Sequence, residues 1–311
     1  MSKLALEAFL GGYAVRTFNT DTNRRFLGYA MGLARMVMFL VISSGKRYDF
    51  VYFTPSRASG GGIRDIFLLT FIYLRFIRSS NIFAHVHGSD HKVFLNKVTV
   101  ISVLLKYLYE KLALHYILLS ESHKDYVHLT HDDTVSVVTN PHQVDVYDSH
   151  RDFTTRKFVF VSFPHKDKGL DLAIDVLQSY GKFHLDIVGW NVNDYEKFFG
   201  SSTLGKNVVF HGFKSQREVN EIVFKADIMI FTSRYESEAQ PLVVINALCT
   251  GIPVLLNRHK MLTDFAGFPG VYFVEDLKSL DELNYDSQEC IQNREAFSEC
   301  KFKERILNVV D

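Results

Sequence analysis

Cysteine is scarce. The chain holds three in 311 residues, Cys249, Cys290 and Cys300. They are too few and too unevenly spaced for a disulfide framework, and no Cys-x-x-Cys pair suggests zinc, so a reduced, cytoplasmic setting is expected. Only six prolines are present, which argues against long disordered linkers. The chain has no low-complexity tract and no internal repeat, which excludes solenoids and propellers. Long apolar runs are absent too: Arg35 interrupts the run from Tyr29 to Ile42, and Arg75 and Arg78 end the one after Ile66. Both fall short of the ~18 uninterrupted residues of a spanning helix. The opening, Met1 to Glu7, lacks the pattern of a secretory signal.

What is present is a normal globular balance, 47% hydrophobic and 23% charged, in a length that suits two α/β domains. The formal net charge of zero hides an asymmetry. Residues 1 to 111 hold 15 Lys and Arg against 6 Asp and Glu, a balance of +9, which leaves −9 for the rest. Arg35, Lys46, Arg47, Arg75 and Arg78 flank apolar helical patterns. Two readings stand side by side: peripheral contact with an anionic membrane surface, and ordinary solvated faces of core helices. No nucleic-acid partner is expected, because the basic residues match no RNA or DNA motif.

Ten short β-branched and aromatic runs alternate with stretches of 3.6-residue period such as Ile63 to Ile77 and Leu170 to Leu177. The runs are Tyr48 to Thr54, Ile82 to His87, His115 to Leu119, Val135 to Thr139, Phe158 to Phe163, His184 to Val188, Val208 to His211, Asp227 to Thr232, Pro253 to Leu256 and Val271 to Val274. Strand and helix in alternation predict parallel sheets covered on both faces, in an α/β fold of two doubly wound, Rossmann-like domains. The rhythm breaks after Asn140-Pro141, which places the boundary at about residue 150: one Rossmann-like domain over 1–150 and a second over 151–311, whose last helix is expected to pack back on the first domain. Two such domains facing a central cleft would share a site at their strand C-termini.

The strongest signal follows the run Asp227 to Phe231 and reads Thr232-Ser233-Arg234-Tyr235-Glu236-Ser237-Glu238-Ala239-Gln240-Pro241-Leu242, continuing through Asn246 to Gly251-Ile252-Pro253-Val254. Pro241 at a helix start has no amide hydrogen to waste, and the amides just after it, from Leu242 on, sit at the positive end of a helix dipole. A carboxylate at Glu238 and an amide at Asn246 can grip hydroxyl groups. This passage resembles the donor-binding element of GT-B glycosyltransferases of the family 4 type, whose pattern is Glu-x7-Glu with a proline three residues after the first Glu, then Gly-x-Pro-Val. Glu238, Pro241 and Gly251 to Val254 match; the second acidic position is Asn246, the chief departure. Glu236 is the alternative first Glu, and its spacing to Pro241 fits less well than that of Glu238.

The resemblance extends along the chain. Phe158 to Asp171, with Lys168-Gly169 before a helix, is similar to the first strand and loop of the family's donor domain, which implies that Lys168 neutralises the diphosphate. The family's arginine at that strand end is replaced by Ser162 and Phe163, and Lys166, His165 or Arg234 are the candidates to supply the second charge. Val188-Gly189-Trp190 resembles the family's glycine turn, and His211-Gly212-Phe213 its base-recognition loop, with Gly212 and Phe213 holding the nucleobase through backbone groups. Ala84 to Asp90 resembles the family's His-Gly segment, which implies that His87 faces the donor sugar and that Gly88 allows close backbone approach. Ser59 to Asp65 is a Gly-rich helix entry read as a flexible acceptor-side loop. Gly11 and Gly12 match the family's early Gly-Gly loop, but Met1 to Leu10 contains no β-branched residue, so the first strand is expected to be missing or irregular.

The resemblance implies a retaining glycosyltransferase that uses a nucleotide-sugar donor such as a UDP- or GDP-sugar, needs no metal ion or other cofactor, and acts on a glycan or lipid-linked acceptor, as in surface polysaccharide and lipopolysaccharide assembly. Its setting would be the cytoplasm, at the inner face of the membrane. In that reading Lys168, Glu238 and His87 are catalytic, while Asn246, Gly88, Ser162, Gly189, Gly212, Phe213, Gln240, Pro241 and Leu242 bind the donor. Asn246, the missing arginine and the irregular first strand motivate the alternative: a sugar-nucleotide-binding protein on a degenerate transferase fold. Binding without turnover separates the two.

Overall fold

The computed structural model describes residues 3–17, 26–144, 156–200, 204–279, 282–283 and 287–311. The boundary expected at about residue 150 lies outside them. The chain divides into two compact units, Met1–Thr139 together with Phe302–Asp311, and Asn140–Lys301. Each of the ten β-branched and aromatic runs forms a strand, with ends displaced by at most four residues.

Unit 1 runs α1 (Lys3–Leu10), α2 (Phe26–Ser43), β1 (Arg47–Phe53), α3 (Ser59–Tyr73), β2 (Arg78–His85), α4 (His91–Asn96), α5 (Val100–Lys111), β3 (His115–Leu118) and β4 (Thr134–Val137). The four strands form a parallel sheet in the order β1-β2-β3-β4. Alternation along β2 divides its side chains: Ile82 and Ala84 join the core under α2, α3 and α5, while Phe83 joins a second core. That second core takes Ala5, Ala8 and Phe9 from α1, and Phe302, Ile306 and Val310 from the C-terminal helix α12 (Glu299–Val310). Both faces are therefore covered, which is why the strands read as continuous apolar runs. The segment before β1 that would carry the family's first strand is helical at Lys3–Leu10, and Gly11 and Gly12 close that helix by donating to the carbonyls of Ala8 and Phe9.

Unit 2 runs β5 (Lys157–Val161), α6 (Leu170–Ser179), β6 (His184–Val188), α7 (Val192–Phe199), β7 (Val208–Gly212), α8 (Gln216–Phe224), β8 (Ile228–Phe231), α9 (Leu242–Cys249), β9 (Val254–Leu256), β10 (Val271–Phe273), α10 (Ser287–Ile291) and α11 (Asn293–Ala296), and it includes the first residues of α12. Its parallel sheet has the order β10-β9-β8-β5-β6-β7. The helices start where capping chemistry allows. Asn191 and Ser215 each close a capping box with the residue three further on, Asp194 and Glu218. The sheet is sandwiched between two cores, one with Val159, Met229 and α9, the other with Phe158, Phe160, Trp190 and α6.

Candidate functional site

In unit 2 the strand order turns back on itself at β5, which lies between β8 and β6. In open α/β sheets ligands bind outside the carboxyl ends of the strands at such a switch point. A cavity of about 360 Å³ opens there, lined by Ser162 and Phe163 after β5, Lys168 before α6, Gly189 after β6, Phe213 and Lys214 after β7, and Glu238, Pro241, Leu242 and Val243 between β8 and α9.

Its polar centre is one ion pair. Lys168 Nζ lies 2.6 Å from Glu238 Oε2, with the two side chains only 8% and 12% exposed. Ser233 Oγ donates to the same carboxylate oxygen at 2.8 Å. The ammonium is also set 4.6 Å from the centre of the Tyr235 ring and 4.7 Å from that of Phe163, so aromatic faces share its charge. The loops that carry the pair are bolted together: Thr232 Oγ1 donates to the Gly169 carbonyl at 2.7 Å, and the Arg234 amide donates to the Asp167 carbonyl at 2.7 Å. Gly169 has φ +77, and a Cβ there would stand 1.9 Å from the Thr232 carbonyl oxygen. Only glycine permits this junction.

Gly189 makes a second close approach, with φ +91 and 2.1 Å between a would-be Cβ and the Ser162 carbonyl oxygen. The Gly189 amide donates to the Gly212 carbonyl at 2.8 Å, the Gly212 amide donates to the Trp190 carbonyl at 2.9 Å, and Trp190 Nε1 donates to Ser162 Oγ at 2.9 Å. The ends of β5, β6 and β7 thus form one stitched rim. Pro241 is the N-cap of α9, and its carbonyl takes the first helical bonds, from Val244 and Ile245. The amides of Leu242 and Val243 precede those donors, at the positive end of the helix dipole and on the cavity wall. A buried cation, a helix N-terminus and a carboxylate converging on one cavity can hold a diphosphate and orient hydroxyl groups.

Seven of the sequence-derived donor residues therefore line one cavity: Ser162, Lys168, Gly189, Phe213, Glu238, Pro241 and Leu242. Gly212 shapes the rim through its backbone. Gln240 and Asn246 do not line it. Gln240 Oε1 accepts from the Asn140 amide at 2.6 Å, and Asn246 Oδ1 accepts from the Gln143 amide at 2.9 Å. Both hold the segment at Asn140 to Gln143 against α9. Of the three candidates for the second cation, Arg234 is turned to both oxygens of Asp171 at 2.8 Å, and neither Lys166 nor His165 lines the cavity. Lys214 does. Its one signal in the sequence is that it directly follows Gly212-Phe213; likewise Ser233 and Tyr235 stand inside the key motif and take their roles only from the fold.

In unit 1, His87 lies two residues beyond β2, its ring 4.0 Å from that of His85. Its pKa is lowered to about 4, by burial above all, with the Arg57 guanidinium adding to the effect. The imidazole is neutral at physiological pH and can offer or accept a hydrogen bond without charge. Gly88 makes room for Arg57, whose guanidinium would stand 1.7 Å from a Cβ there and which pairs with Asp90 at 2.8 Å. His123 accepts from the Leu119 amide through Nδ1 and reaches the Gly88 carbonyl with Nε2 at 3.2 Å, which fixes its tautomer and the turn. The Gly-rich stretch at Ser59 is not a loop, as expected from its composition, but the first turn of α3. Gly62 is buried there and a Cβ would lie 2.7 Å from Ile101, so the glycines serve helix packing.

A sequence model of the family described as Glycosyl transferases group 1 matches residues 148–296. An "Uncharacterized 41.2 kDa protein in cps region" of Klebsiella pneumoniae is 30% identical over 109 residues, which are 34% of this chain and 28% of that protein. Among solved structures, the lipopolysaccharide outer core galactosyltransferase WaaB superposes with a TM-score of 0.64 at 17% identity, over 92% of this chain and 80% of that one. Anabaena Alr3699/HepE in complex with UDP-glucose gives 0.63 at 14% identity, over 94% and 85%. TarM gives 0.62 at 19%, over 90% of this chain and 58% of that one. Two parallel α/β units matching these proteins define the class, the GT-B fold. The stretch that matches the glycosyl transferases group 1 model, residues 148–296, holds the whole cavity described above.

Proposed function

We propose that the protein transfers a sugar from a nucleotide-sugar donor to a glycan or lipid-linked acceptor with retention of configuration. The observation that carries this reading is the buried Lys168–Glu238 pair beside the N-terminus of α9. In the proposed reaction the donor's diphosphate displaces the carboxylate from Lys168 and takes the ammonium together with the amides of Leu242 and Val243. These positive groups stabilise the charge that develops on the leaving phosphate, with no divalent ion required. Glu238, released from the lysine, accepts hydrogen bonds from the sugar hydroxyls and orients the ring. Phe213 and the backbone at Gly212 border the place for the base.

The bound UDP-glucose of HepE and the galactosyltransferase activity named for WaaB support a donor of the UDP-sugar class. The cps-region relative and WaaB support a place in surface polysaccharide assembly; the setting proposed with it is the inner face of the cytoplasmic membrane. Glu238→Gln, which keeps the side chain's shape, should abolish transfer from radiolabelled UDP- or GDP-sugars to lipid-linked glycans while leaving the circular dichroism spectrum unchanged. Undiminished turnover by that variant overturns the assignment.

A further inference from the structure

We propose that the outer surface of the helical layer α2, α3 and α5 of unit 1 docks on an anionic lipid bilayer. It rests on the reading of a lipid-linked acceptor for its purpose, and on the surface itself for its evidence. Seventeen large apolar side chains stay exposed among the described residues, and 14 of them belong to unit 1, the smaller part of the chain. They are ordered by helix period. On α2, Met31, Met38, Val41 and Ile42 recur along one face, while Met36 and Leu40 point into the core. On α5, Val100, Val103, Leu104 and Tyr107 do the same, opposite the buried Leu105 and Leu108. Val98, just before α5, is 95% exposed and Val100 84%. α3 packs against both helices and adds Tyr73, whose ring lies 6.3 Å from that of Tyr107. An apolar stripe this extended marks an interaction surface.

Charge names the occupant. The segments 22–48, 66–89 and 91–109 contain ten Lys and Arg and not one Asp or Glu. Arg35 sits within the stripe of α2, Lys97 before α5 and Lys111 at its end, the last 5.8 Å from the Tyr107 ring. Apolar side chains ringed by cations, with Glu110 of α5 the one exposed acidic side chain on α2, α3 and α5, fit the interface of a bilayer carrying acidic headgroups. A second copy of the chain fits poorly: a two-fold contact would set this cationic surface against itself.

The test is co-sedimentation of the full chain with vesicles of phosphatidylcholine alone or of equimolar phosphatidylcholine and phosphatidylglycerol. Binding is expected to the mixed vesicles, weakly to the neutral ones, and to fall with salt. The triple variant Val100→Ser, Val103→Ser, Tyr107→Ser should lower partitioning at least tenfold, and Lys97→Gln roughly fivefold. No binding by the parent chain, or undiminished binding by the triple variant, overturns the proposal. So does a dimer in size-exclusion chromatography that the triple variant converts to monomer, which gives the surface to a second copy. Titration with UDP- and GDP-sugars on the same preparation keeps the two readings apart: donor binding without sedimentation overturns only the docking, and sedimentation without donor binding upholds the docking and overturns the transferase reading.

Discussion

Lys168→Met removes the charge at the centre of the cavity and keeps most of the stem that packs between Phe163 and Tyr235. The pair it breaks is short and nearly buried, 2.6 Å with 8% and 12% exposure, so Glu238 is left with Ser233 but without its counter-ion. Breaking a buried pair from one side costs about 3–5 kcal/mol, and the residual exposure argues for the lower end, about 3. For a unit of this size that lowers the melting temperature by roughly 6–12 °C. Loss of one charge-assisted contact to the diphosphate should also weaken donor binding about 10- to 100-fold. The double variant Lys168→Met/Glu238→Gln separates these effects, because it removes both charges. Its stability should return to within about 1 kcal/mol of the parent, while its donor affinity, read by isothermal titration with UDP-sugars, stays low. If affinity recovers along with stability, the lysine is a structural partner of Glu238 and not a phosphate ligand.

Three further outcomes follow from the geometry. Gly189→Ala should cost about 2–3 kcal/mol in urea unfolding, because φ is +91 and the Ser162 carbonyl stands 2.1 Å from the new Cβ; Gly181→Ala, with φ +97 but open space around it, should cost about 1. Equal losses refute the close-approach argument. Asn246→Ala leaves the Gln143 amide without its acceptor and should cost about 1–3 kcal/mol, whereas Asn246→Asp keeps an acceptor and should lose clearly less; thermal unfolding of the two variants makes the comparison. Unit 1 should weaken in acid. Burial holds His87 at a pKa of about 4 and His91 at about 3, so both rings fold neutral. The unfolded chain takes up their protons from about pH 6.5 downward, and stability is lost as the pH falls from there toward 4, on the order of 3 kcal/mol per ring. His91→Phe should flatten the fall in urea midpoint between pH 7 and pH 4; an unchanged slope removes His91 from the account.

The fold was largely legible because both sheets are parallel and covered on both faces, so that each strand appears as an apolar run of its own between helical patterns. The cavity was legible through spacing: Glu238, Pro241 and the Lys168-Gly169 pair have fixed distances along the chain that reflect a strand, a loop and a helix start. What escaped the sequence was settled by packing. Ser59 to Gly62 reads as a loop by composition, yet Gly62 is small because Ile101 lies against it. Lys214 reaches the cavity only because β7 ends beside β6, and Arg234 turns away because Asp171 of α6 offers it both oxygens. Asn246 has the spacing of a ligand residue, while the structure gives its carbonyl to Gln143, a partner 103 residues away in sequence.

The most direct test of the central claim is a crystal structure of the chain with a non-hydrolysable UDP- or GDP-sugar. The account predicts the diphosphate against Lys168 Nζ and the amides of Leu242 and Val243, with Glu238 turned from the lysine to the sugar. A nucleotide bound elsewhere, or one in this cavity that leaves the Lys168–Glu238 pair closed, contradicts it.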